Sequence, residues 1–258
     1  MIDFTTVIAC DRRHLAQLEM TFPTWAKHRP EILDRPLMIV ADCHDETGYR
    51  PAEWQKRLAF VYRDMRSPVA TAEWFWPPDE TFREAPFCIT QRERMLTGLV
   101  RAAAWVTTPW SLKLDTDAPA MRSCPWILDE WFTGNPALVS SPWSYSKPAD
   151  VIQRLDAWGD QHPELSRHPP LGFRPAPGSD ICRHPRIISY VCFINTEFAR
   201  WASELAPERL PVPSQDTYHH YLAARTGKPI VVERMKRHGW AHVKHDRNLK
   251  RLCEEAMR

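Results

Sequence analysis

The sequence predicts an α/β fold built on a mostly parallel central sheet flanked by helices, and three observations carry that prediction. Short apolar runs alternate with amphipathic stretches through the first 114 residues. Among these runs, that at 35–41 is continuous, as in a strand buried on both faces. Another, Leu112-Lys113-Leu114, ends in Asp115-Thr116-Asp117, two carboxylates one residue apart.

Residues 4–9 (FTTVIA) read as the first strand. Residues 12–28 follow as a helix, with Leu15, Leu18, Phe22 and Trp25 at helical spacing and Pro23 expected to bend its end. Residues 35–41 (RPLMIVA) form a second buried strand that runs into Asp42-Cys43-His44-Asp45. A short helix is expected over 51–58 and a third strand over 59–62. The proline- and aromatic-rich stretch 67–88 reads as a loop, and 91–106 as a helix with Met95, Leu99, Ala102 and Ala103 on one face. Residues 109–114 then form the strand that ends in the Asp pair.

The second half is expected to hold a helix at 126–132, a strand at 137–141 and a segment, 142–186, dense in Pro, His and Arg with a short helix at 150–158. A strand at 187–195 leads into a helix at 196–205, capped by Asn195 or Thr196. Ser214-Gln215-Asp216 opens a helix over 217–225 that Gly227 closes, and 230–232 is a short strand. The basic tail, 234–258, carries His238, His242 and His245.

Composition narrows the function classes. The 258 residues suffice for one large domain, with 43% hydrophobic and 26% charged residues. The seven cysteines are scattered with no C-x-x-C pair, which argues against a zinc site or disulfide framework and for reduced thiols. A net charge of +2 gives little support to a large polyanionic partner. No apolar run reaches membrane-spanning length and no signal peptide is evident, so a cytoplasmic protein without a transmembrane segment is expected.

On an extended backbone Asp115 and Asp117 point to the same side. Paired hard oxygens suit Mg²⁺ or Mn²⁺, which take a few carboxylates and leave other positions to water and phosphates. A turn after a strand would use the same residues. Parallel sheets bind ligands at the carboxyl ends of their strands, where Asp42 and Asp115 both fall.

Four segments carry a family resemblance: TTVIACDR with its helix, LMIVADCHDETG, QRERMLTGLVRAAAWVTTPWSLKLDTDA, and SQDTYHHYLAARTGKPI. In this order they resemble glycosyltransferases of the A-type (GT-A) fold, most of all the inverting family 2 enzymes that use nucleotide-diphosphate sugars. The resemblance spans residues 4–120 and 187–245. It departs from the family pattern at Asp42-Cys43-His44-Asp45, where Asp-Asp-Gly-Ser is usual, and at Gln215, where an acid is usual.

The resemblance implies a single GT-A-like, Rossmann-like domain, with a nucleotide-sugar half over about 1–120, an acceptor half over about 121–258 and an acceptor-side insertion over about 142–186. It implies a nucleotide-sugar site of Ala9, Asp11, Asp42 and Asp115, with Asp42 on the base or in a simple turn, and Arg92 and Arg94, which open the helix before the metal strand, are candidates to reach its phosphates or to be solvated helix arginines. It implies Mn²⁺ or Mg²⁺ on Asp115 and Asp117, Asp117 the more direct ligand, completed by His242, with His238 and His245 as competitors. Asp216 is the implied base for the acceptor hydroxyl, and it equally suits a helix N-cap. Trp74, Trp76 and Trp143 are candidates to stack on a sugar or to pack a lid.

The donor would be a nucleotide-diphosphate sugar and the acceptor a hydroxyl of a glycan, a lipid-linked glycan, a small molecule or a modified nucleic acid. Three other readings share the pattern: a retaining transferase, a non-catalytic nucleotide- or glycan-binding relative, and a nucleotidyltransferase. The last usually has a glycine-rich phosphate loop with a lysine after the first strand, whereas residues 9–13 here are ACDRR.

Overall fold

The computed structural model describes residues 2–10, 12–42, 51–74, 102–162, 165, 174–175, 181–205, 215–243 and 246–258. Within them lies an eight-stranded sheet of order β3-β2-β1-β4-β7-β5-β8, with β6 (Arg174–Pro175) added beside β7. Strands β1 (Phe4–Cys10), β2 (Leu37–Asp42), β3 (Val69–Trp74) and β4 (Trp110–Leu114) are mutually parallel. Strand β7 (Ile181–Asn195) runs antiparallel to β4 and to β5 (Leu138–Pro148), and β8 (Ile230–Val232) is parallel to β5. The sheet is mixed, with its parallel part, β1 to β4, at one side.

Helices cover both faces. Helix α1 (Arg12–His28) lays Leu15, Leu18, Phe22 and Trp25 on a core with Phe4, Ile8, Leu112 and Leu114, and α2 (Pro51–Tyr62) adds Leu58 and Val61. The opposite face takes the helical residues 102–105 over Val7, Ala9 and Val40. Farther along that second layer lie α3 (Ala149–Gly159), α4 (Thr196–Leu205) and α5 (Gln215–Arg225), burying Leu155, Phe198, Ala202, Tyr221 and Leu222. The last helix, α6 (Asp246–Met257), packs Leu249 and Cys253 beside Met20 of α1.

Most elements fall where the sequence predicts them, and Asn195 is the cap of α4, its side chain accepting from Phe198 N at 3.0 Å. The third strand does not. Residues 59–62 are the last turn of α2, because Leu58 and Val61, three apart, are buried while Ala59 and Phe60 are exposed. The strand is instead Val69–Trp74, inside the stretch read as a loop. The helix expected at 126–132 is a single 3₁₀ turn, Asp129–Phe132. There Trp126 is held between Phe193 and Trp240 in an aromatic cluster, and its indole donates to Glu31. Part of the 142–186 segment continues the neighbouring strands, with Ser141–Pro148 pairing Ile188–Ile181.

A buried cation ties the tail to the sheet. Arg29 is fully buried and donates to the carbonyls of His28, Arg122 and His238 while its guanidinium lies over Trp126 and Trp240. Burial lowers its pKa from the ordinary guanidinium value. Gly239 follows at φ 77°, and a Cβ there would lie 2.9 Å from the Arg122 carbonyl oxygen and from the Arg29 guanidinium. Gly239→Ala is expected to lower stability by roughly 1–3 kcal/mol, through strain at positive φ and overpacking, as read by urea denaturation.

Candidate active site

The site begins with sheet geometry. In β1 and β4, Val7 pairs with Lys113, so Ala9 and Asp115, two residues on in each strand, reach the same level of the carboxyl edge. Asp42 ends β2 on that edge, beyond the Cys10–Ala41 pair. The Ala9 side chain packs in the core with Val7, Val40, Ala102 and Val106. Asp11, Arg92 and Arg94 lie outside the described residues, as do Trp76 and His245. Trp74 ends β3, Trp143 lies in β5 and Asp216 sits in the first turn of α5.

Asp115 leaves β4 with its N–H donating to the Tyr190 carbonyl at 2.9 Å, and Ala118 N closes a turn onto the Asp115 carbonyl at 3.2 Å. Helix α1 fixes the chain beyond. Thr21 Oγ1 donates to the Thr116 carbonyl at 2.7 Å, Trp25 Nε1 to the Ala118 carbonyl at 2.7 Å, and Thr24 Oγ1 accepts from Ala120 N at 3.0 Å. Thr116 Oγ1 meets Gln17 Oε1 at 2.9 Å.

The tail then crosses the turn. Met121 N donates to Gly239 O at 2.7 Å, Ala241 N to Pro119 O at 3.0 Å and Val243 N to Asp117 O at 3.2 Å. This pairing sets His242 beside the carboxylates. Asp115, Asp117 and His242 each present a ligand atom within 4.8 Å of the others, and His242 Nε2 lies 3.7 Å from Asp117 Oδ1. Two carboxylates and an imidazole form a donor set that fits a Mn²⁺- or Mg²⁺-type ion. His238 is engaged elsewhere, with Nδ1 3.1 Å from the Pro125 carbonyl, Nε2 3.6 Å from Glu233 and its ring edge-on to Trp131.

Two neighbours of the group carry no motif in the sequence. Tyr190 stacks on His242 with ring centres 5.0 Å apart and planes at 4°. Its position follows from a register break: Cys192 pairs with Ser140 but Ile188 with Ser141, so the strand register with β5 skips residues 189–191. Such bulges re-aim side chains beside sites. The Tyr190 hydroxyl meets Ser141 Oγ at 3.3 Å, and burial raises its pKa, which keeps it neutral. The other neighbour is Lys113, buried in β4 and ion-paired with Asp115 Oδ1. A lysine within a buried strand is the one sequence signal that marks it.

No family model and no curated protein sequence matches the chain. Solved structures do match. The galactosyltransferase LgtC, in complex with donor and acceptor sugar analogues, aligns over 98% of this chain and 95% of its own at 13% identity, with a TM-score of 0.51. The mannosyltransferase Ktr4p from S. cerevisiae, in complex with GDP, aligns over 89% of this chain and 69% of its own at 7% identity and a TM-score of 0.50. The chain has a GT-A fold. At these identities the likeness reaches the GT-A fold and does not single out family 2 within it. The three-residue group lies at the carboxyl edge of this GT-A sheet, where open α/β sheets bind ligands.

Burial, and then the charge of Asp115, raise the Asp117 pKa above the ordinary carboxylate value, with His242 and Lys113 pulling the other way. An acid whose pKa is raised in the folded state stabilises the fold fully below its unfolded pKa, and that contribution is lost as pH rises through the folded value. Asp117→Asn is therefore expected to melt at a higher temperature than the wild type at pH 7 without metal. Adding Mn²⁺ should raise the melting temperature of the wild type and not of the variant, as read by differential scanning fluorimetry.

Proposed function

We propose that the protein is a metal-dependent glycosyltransferase that moves a sugar from a nucleotide-diphosphate donor to a hydroxyl acceptor. The observation that carries this reading is the Asp115–Asp117–His242 group at the carboxyl edge of a GT-A sheet. The fold matches with LgtC, solved with donor and acceptor sugar analogues, and with Ktr4p, solved with GDP, support a nucleotide-sugar donor.

Asp115, Asp117 and His242 would hold Mn²⁺ or Mg²⁺, which supplies Lewis-acid neutralisation of the departing diphosphate. Tyr190 fixes the imidazole plane through its stack, so His242 presents Nε2 toward Asp117. The end of β2 at Asp42 and the end of β1 near Ala9 and Asp11 would receive the nucleoside, with Arg92 and Arg94 serving the phosphates.

For direct displacement with inversion, Asp216 would take the acceptor hydroxyl proton from the first turn of α5. The acceptor is a hydroxyl of a glycan, a lipid-linked glycan, a small molecule or a modified nucleic acid. No helix among the described residues is long and apolar enough to cross a membrane.

The first test is melting temperature against nucleoside diphosphates and nucleotide sugars, with and without Mn²⁺. A ligand at a hundred times its Kd stabilises the fold by about 2.7 kcal/mol. The expected result is a metal-dependent shift with one nucleotide that Asp117→Ala abolishes. The absence of any shift across the panel in folded protein would overturn the reading.

Asp216→Asn is expected to lower turnover by roughly 10²–10⁴-fold while leaving the nucleotide-induced shift intact. Full turnover in that variant would remove Asp216 from the chemistry and point to the retaining mechanism.

A further inference from the structure

The metal-type group already contains a fixed positive charge. Lys113 is the second-to-last residue of β4, paired with Val7 on one side and Cys192 on the other, and only 4% of its side chain is exposed. A lysine is rarely buried to that degree unless paired. Here Nζ meets Asp115 Oδ1, an oxygen of one of the two acidic residues that would hold the ion. Lys113 and Asp115, two residues apart, fall on one sheet face, while Leu114 between them packs in the core on the other.

Two consequences follow from charge and donor chemistry. The ammonium beside Asp115 cancels part of the negative charge of the two carboxylates, so a divalent ion meets less attraction than the carboxylates alone would give. The ammonium also occupies an Asp115 oxygen, since it can only donate and the carboxylate can only accept. A nucleoside diphosphate brings the missing negative charge. Its oxygens can satisfy the ion and, through the flexible four-carbon stem, the displaced ammonium.

We propose that Lys113 is a built-in counter-cation of the metal site, which holds down its affinity for a divalent ion alone and makes tight metal binding conditional on the nucleoside diphosphate. This rests on the reading of Asp115, Asp117 and His242 as a metal site. Lys113 is a positioning and tuning residue in it, and the coupling is reciprocal: the nucleotide tightens the metal by the factor by which the metal tightens the nucleotide.

The test is Mn²⁺ binding to the full chain by electron paramagnetic resonance and calorimetry, alone and with saturating UDP or GDP. It compares the wild type, Lys113→Met and Lys113→Arg. Methionine keeps the volume of the stem and removes the charge. The expected result for Lys113→Met is at least tenfold tighter binding of Mn²⁺ alone and a matching loss of the nucleotide-dependent gain. Lys113→Arg should keep the wild-type values.

A folded Lys113→Met variant whose Mn²⁺ affinity stays within twofold of wild type overturns the proposal. So does one that binds Mn²⁺ more weakly both with and without nucleotide, because Lys113 then only orders Asp115. Should the methionine variant not fold, Lys113→Gln, uncharged and polar, gives the same readout. Failure of the wild type to bind Mn²⁺ under either condition overturns the metal-site reading itself, and so is distinct from failure of the Lys113 role.

Discussion

The site depends on how the chain is held after it leaves β4. A strand that ends in a sharp turn exposes backbone groups, and buried backbone groups must be paired. Helix α1 meets that need with a row of hydrogen-bonding side chains beside its apolar face. Gln17, Thr21, Thr24 and Trp25, at one-turn and two-turn spacing, hydrogen-bond Thr116, Ala118 and Ala120. The same stretch takes the tail through Gly239, Ala241 and Val243. Asp117 is therefore held from both sides, and its carboxylate and the His242 imidazole are set by the backbone rather than by side-chain choice alone.

The local electrostatics follow from that confinement. Burial first, and then the charge of Asp115 held close beside it, make Asp117 hard to ionise. Two features offset the cost: Lys113 beneath Asp115, and His242 beside Asp117. The imidazole keeps its plane because Tyr190 stacks on it, and Tyr190 is available because the β7 bulge releases it from the ladder with β5. Arg29, buried under Trp126 and Trp240, ties the His238 carbonyl to that of Arg122 and so anchors the tail at its root. Fold and site thus share the same contacts.

Much of this was legible in the residues. Apolar runs marked β1, β2 and β4, the spacing of Leu15, Leu18, Phe22 and Trp25 marked α1, and Asp115-Thr116-Asp117 marked two members of the candidate site. The errors have physical causes. Residues 59–62 are apolar enough for a strand, but Leu58 and Val61 fit one face of a helix that packs on α1. Residues 126–132 have helical composition, yet the aromatic packing of Trp126 fixes an irregular path.

What the sequence determined by itself is the local chemistry: which stretches are buried strands or amphipathic helices, and that two carboxylates close a strand. Periodicity and residue type are local quantities and need no partner to be read. The tertiary structure decided which of the described tail histidines joins those carboxylates, because His238 and His242 differ only in what surrounds them. Pairing of 239–243 with 117–121 brings His242 in and leaves His238 against Pro125, Glu233 and Trp131. It also decided the places of Tyr190 and Lys113 beside those groups, since a bulge and an ion pair between neighbouring residues acquire meaning only once the strands are laid side by side.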